Sequence, residues 1–81
     1  MMLQYKFLDL KELVGFCEYI TPLNVEVTAY IGKNQSVDAK SILGLTAFDI
    51  SNQIDFYIFG DESDVEKIKY WIDLHQSQKE V

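Results

Sequence analysis

The chain predicts an α+β open-faced sandwich: a four-stranded antiparallel sheet with three helices on one face, in the order β-α-β-β-α-β-α. Three observations carry that expectation. Val25, Val27, Ala29 and Ile31 alternate with Asn24, Glu26, Thr28 and Tyr30, and Ile54, Phe56 and Ile58 alternate with Asp55, Tyr57 and Phe59. Other segments carry apolar residues at helical spacing behind capping signals. The length, 81 residues with 48% apolar and 14% aromatic side chains, suits a single domain over 1–81 with one compact core.

Each element has its own local reason. Leu3, Tyr5 and Phe7 alternate with Gln4 and Lys6, which reads as a short half-buried strand. Asp9 opens the first helix with Glu12 three residues on, a capping-box pair. Leu10, Leu13, Val14, Cys17 and Ile20 form its apolar stripe, and Thr21-Pro22 ends it. After the strand at 25–31, Gly32-Lys33-Asn34-Gln35 supplies turn chemistry, and 36–39 returns as a short strand, making a hairpin. A short helix is expected over 41–48, and the strand at 54–58 follows. Gly60-Asp61-Glu62-Ser63 breaks that strand, with Ser63 and Glu66 as a second capping box. Val65, Ile68, Ile72 and His75 then recur at helical spacing beside Trp71, and 76–81 reads as a frayed polar tail.

Charge and cysteine usage exclude several classes. The net charge is −6, with seven lysines and no arginine, so the basic footprint of a nucleic-acid binder is missing. No apolar run is long enough to span a bilayer, and no secretory leader pattern opens the chain. A single cysteine, Cys17, forms no internal disulfide and reads as a buried inert thiol in a cytoplasmic protein. No set of His, Cys and carboxylates has metal-ligand spacing, and no glycine-rich phosphate loop is present, so neither metal nor cofactor is expected.

Between the return strand and the short helix the chain reads Ala39-Lys40-Ser41-Ile42-Leu43-Gly44-Leu45. This segment, within the element order above, resembles HPr, the histidine-containing phosphocarrier of the bacterial phosphoenolpyruvate-dependent sugar phosphotransferase system. The resemblance runs best over 24–72. It implies a regulatory phosphorylation site at Ser41, with Ile42 and Leu43 presenting apolar side chains to a protein partner. It also implies a phosphorylatable histidine in a Gly-Leu-His-Ala-Arg-Pro type motif at the first helix N-terminus. This chain departs from that pattern: the corresponding window, Gln4-Tyr5-Lys6-Phe7-Leu8-Asp9, holds no His, Arg, Pro or Gly. The connection from strand to helix is shortened, and Asp49 stands where many members have glycine.

The residues bear on chemistry as follows. A phosphocarrier needs a neutral imidazole nitrogen to attack a phosphoryl group; Lys6, near the missing histidine's position, is protonated and does not attack. The lone histidine, His75, suits the negative end of the last helix. Ser41 is an ordinary N-cap, worth about 1 kcal/mol, and also a phosphorylation candidate beside Lys40, where a phosphate meets free amides and a cation. Tyr30, Tyr57 and Phe59 fall on the open face of the sheet, as cross-strand packing or as a surface for self-association. The expected protein is therefore not an enzyme, since the phosphocarrier histidine and its arginine are absent. It is a binding or regulatory module that meets a protein partner through Lys40, Ser41, Ile42 and Leu43. The alternatives are a phosphocarrier with a rewired acceptor and a structural self-associating domain.

Overall fold

The computed structural model describes residues 1–31, 35–41 and 53–79. Among them are four strands and two helices: β1 (Met2–Tyr5), α1 (Leu10–Ile20), β2 (Val25–Ile31), β3 (Gln35–Asp38), β4 (Ile54–Gly60) and α2 (Glu62–Lys79). The strands form one antiparallel sheet in the order β1-β4-β2-β3. Among the described residues the fold is thus α+β with a four-stranded antiparallel sheet and two helices, where three were expected along the chain. The third expected helix, over 41–48, lies outside the described residues apart from Ser41.

Period-2 alternation sorts the sheet into two faces. Tyr5, Val25, Val27, Ala29, Ile54, Phe56 and Ile58 are buried in one cluster with Leu13, Phe16, Cys17 and Ile20 of α1 and Ile68 and Ile72 of α2. Both helices therefore cover the same face. They also touch each other, the Tyr19 hydroxyl donating to the Lys67 carbonyl at 3.3 Å. Burial of that apolar surface, at roughly 25 cal/mol per Å², is the main force holding the layers together.

The α1 stripe differs from expectation at two positions, Val14, which is only half-buried and outside the core cluster, and Leu10. Leu13, Phe16, Cys17 and Ile20 are buried, whereas Leu10 is 53% exposed. Leu10 is the first helical residue, and the core does not reach that turn. Thr21 closes the helix, its backbone amide and hydroxyl both donating to the Cys17 carbonyl, at 3.1 and 2.6 Å. Pro22 follows, which prevents continuation.

The start of α2 is also a correction. Ser63 does not cap it. The Asp61 carboxylate accepts from the Ser63 amide (3.0 Å), the Ser63 hydroxyl (2.6 Å) and the Asp64 amide (3.3 Å). The Ser63 hydroxyl first, then the Asp64 amide, hold the Asp61 carboxyl below the usual range. Gly60 makes this turn possible. Its φ is +148°, and a Cβ there would sit 2.6 Å from the Asn24 carbonyl oxygen. At its other end α2 runs to Lys79 and takes in Gln76, Ser77 and Gln78; glutamine and lysine are good helix formers. Residues 80–81 lie outside the described set.

The hairpin is shifted by one residue from its expected bounds. Ile31 pairs with Gln35 and Thr28 with Asp38, so Gln35 belongs to the strand and Ala39 to the turn beyond it.

Candidate functional site

Two places hold the residues singled out in the sequence: the entrance to α1 and the turn that ends in Ser41.

The entrance to α1 is built on a cluster of rings. Tyr5, Phe7, Phe16, Phe56 and Trp71 meet at centroid separations of 5.0 to 6.0 Å, mostly edge to face. Such pairs add about 0.5–1.5 kcal/mol each beyond area burial. Phe7 lies past the end of β1 yet is 3% exposed, so it plugs the short connection from strand to helix. Above the rings, two of this chain's own carboxylates accept from one helix amide, from one amide before the helix and from a nearby hydroxyl. Asp9 is the N-cap, accepting from the Glu12 amide at 2.9 Å. Glu12 Oε1 accepts from the Leu8 amide at 2.8 Å and the Tyr5 hydroxyl at 2.9 Å. The return bond of the expected capping box thus goes to Leu8, one residue before the cap. Burial, then the Glu12 hydrogen bond and charge, push the Tyr5 phenol well above its ordinary value.

The first turn of α1 is therefore negative and internally capped. The positive end of a helix favours an anion. Here two carboxylates already take that role, so an incoming phosphoryl group meets like charge. Lys6 lies on the exposed surface before this turn.

His75 is closer to this place than its position in the chain suggests. It shares a shallow depression with Asp9, Lys11, Glu12, Gly15 and Trp71, because α2 packs beside α1. Its ring stacks on Trp71 at a centroid distance of 3.7 Å and 17° between planes. Nδ1 lies 2.8 Å from the Trp71 carbonyl, which only accepts, so Nδ1 carries the proton in that bond. In the neutral ring the lone pair is then on Nε2.

The second place is held by the core. Ala39 is fully buried, its amide donating to the Val27 carbonyl at 2.8 Å. The Cys17 thiol donates to the Ala39 carbonyl at 3.3 Å, and burial pushes that thiol up to about 11. Asp38 shapes the turn: its carbonyl accepts from the Ser41 amide and its carboxylate from the Lys40 amide, both at 2.9 Å. The Lys40 ammonium reaches the Leu23 carbonyl at 2.8 Å. Ser41 is exposed at the end of this anchored segment. Ile42 and Leu43 lie outside the described residues. Sequence reasoning missed the Asp38 turn, for which an Asx residue two positions before Lys40 was the available signal.

Tyr30, Tyr57 and Phe59 lie on the open face, exposed by 39%, 45% and 65%. Among the described residues no three His, Cys, Asp or Glu side chains are grouped to hold a metal ion. No helix among them is long and apolar enough to cross a membrane.

No protein-family model and no curated protein matches the sequence. Among solved structures, the crystal structure of HPr-C-His from Thermoanaerobacter tengcongensis aligns with a TM-score of 0.72 at 18% sequence identity. The alignment covers 90% of this chain and 91% of that one. At that identity the likeness is one of architecture, and it agrees with the order of strands and helices built up above: the fold is HPr-like.

Proposed function

We propose that this protein is a non-catalytic, HPr-like binding or regulatory module related to the bacterial phosphoenolpyruvate-dependent sugar phosphotransferase system. It does not relay phosphate through the first helix. The observation that supports this reading is the entrance to α1, where Asp9 accepts from the Glu12 amide and Glu12 from the Leu8 amide, with no imidazole in the 4–9 window. A phosphocarrier of this kind needs a nucleophilic nitrogen at that place, where the 4–9 window supplies no imidazole and two carboxylates flank the helix start.

Partner contact is assigned to Lys40 and Ser41 and to Ile42 and Leu43 beyond them, with phosphorylation of Ser41 as the switch. The exposed serine follows a turn fixed by Ala39 and Asp38, so a kinase meets a presented hydroxyl. A phosphate adds about −2 charge there. The test is treatment with ATP and an HPr serine kinase. Incorporation that disappears in Ser41→Ala supports the reading; no incorporation, or incorporation that survives that substitution, removes Ser41 as the site.

A second reading, a phosphocarrier with a rewired acceptor, draws on the depression that His75 shares with the first turns of α1. Against it, Asp9 and Glu12 line the same depression with Lys11 as its one cation among the described residues, so a phosphoryl dianion there meets net negative charge. Acid-labile phosphate on His75 after incubation with the phosphorylated upstream enzyme would establish it.

A further inference from the structure

The open face of the sheet interleaves exposed apolar side chains with carboxylates. The register sets Glu26 directly across from Phe59 and Asp55 across from Tyr30. Tyr57 lies between Met2 on β1 and Thr28 on β2, and Asp38 stands on the far side of Thr28. Directly opposed side chains on one face are about 5 Å apart at Cβ, so each carboxylate stands beside a ring or one position from it. Among the described residues on the four strands there is no lysine, and no ion pair reaches Glu26 or Asp55. Lys40 borders only the Glu26–Phe59 end, its ammonium bound to the Leu23 carbonyl.

We propose that this face is a docking surface for a basic, arginine-bearing segment of a partner protein, laid across β4 and β2. Charge complementarity selects that occupant. A guanidinium over Tyr57 or Phe59 is attracted by the ring face and, at the same place, by the neighbouring carboxylate. A second copy of this chain fits poorly, because face-to-face contact lays carboxylate against carboxylate in a protein of net charge −6. Nucleic acid and anionic lipid are disfavoured by the same charge. The surface is separate from the Ser41 segment, so it stands or falls apart from the switch proposed there.

An arginine-rich peptide, with an oligo-glutamate peptide as control, is titrated into the isotopically labelled protein at low salt, and amide shifts are followed. The expected result is shifts centred on Glu26, Tyr30, Tyr57 and Phe59, with none from the control. Tyr57→Ala with Phe59→Ala leaves every charge in place and weakens binding about tenfold. Tyr57→Leu with Phe59→Leu keeps the apolar surface and still weakens it, which separates ring attraction from area. Glu26→Gln with Asp55→Asn weakens binding and flattens its salt dependence. Shifts confined to the acidic residues of α2, an affinity indifferent to both ring variants, or concentration-dependent self-association through this face without peptide binding would each overturn the proposal.

Discussion

The entrance to α1 and the Asp38–Ser41 turn are both places where buried structure meets solvent, and they put their carboxylates to different uses. At the entrance, two carboxylates take the role an anionic ligand would have, accepting from the Leu8 and Glu12 amides and from Tyr5. At the turn, Asp38 shapes the backbone and leaves Ser41 exposed after a buried alanine. The two places differ in what ends at the surface: a carboxylate-capped helix start at one and an exposed serine at the other. What decides anion handling at a helix start is which group already holds the amides.

The strongest way to break the contrast is to remove the floor of the entrance. Phe16→Ala deletes the ring that touches Phe7, Phe56 and Trp71, and should cost about 3–5 kcal/mol by chemical denaturation. At the turn, Ala39→Leu forces a larger side chain into a fully buried position and should cost about 1–3 kcal/mol.

A pH series separates the two places by a different route. The Cys17 thiol under Ala39 is pushed up to about 11 from an ordinary value of 9.0, so above about pH 9 the unfolded chain holds fewer protons than the folded one. Stability should then fall as pH rises from about 9 toward 11, by up to about 1.4 kcal/mol per pH unit, with no loss from this group below pH 9. Cys17→Ala should flatten that slope. Tyr5, also raised, works in the same direction at still higher pH. The smallest effect belongs to the cap: Asp9→Ala should cost about 1 kcal/mol, and Asp9→Ser should restore most of it, as read from thermal unfolding.

These residues also show what could be read from the chain and why. Alternation at Val25–Ile31 and Ile54–Gly60 was legible because one sheet face is buried and the other is not. Asp9 was legible as a cap because its signal is local. Leu10 was misassigned because spacing tells which side of a helix a residue lies on, and not whether a neighbour extends that far. Phe16 was available at the same spacing, between Leu13 and Ile20, and is fully buried. Ser63 matched a capping template, but Gly60 turns the chain so that Asp61 arrives at the amides first. The approach of His75 to Asp9 and Glu12 was hidden because it depends on how α2 packs beside α1, a contact between residues more than sixty positions apart.

The proposed function requires that this HPr-like fold take no phosphoryl group at its first helix. Its most direct test is intact-mass analysis after incubation with phosphoenolpyruvate and the enzyme that phosphorylates HPr, before and after mild acid. The expected outcome is an unchanged mass under conditions that fully phosphorylate a control HPr. An acid-labile phosphoryl increment, on His75 or anywhere near α1, would contradict it.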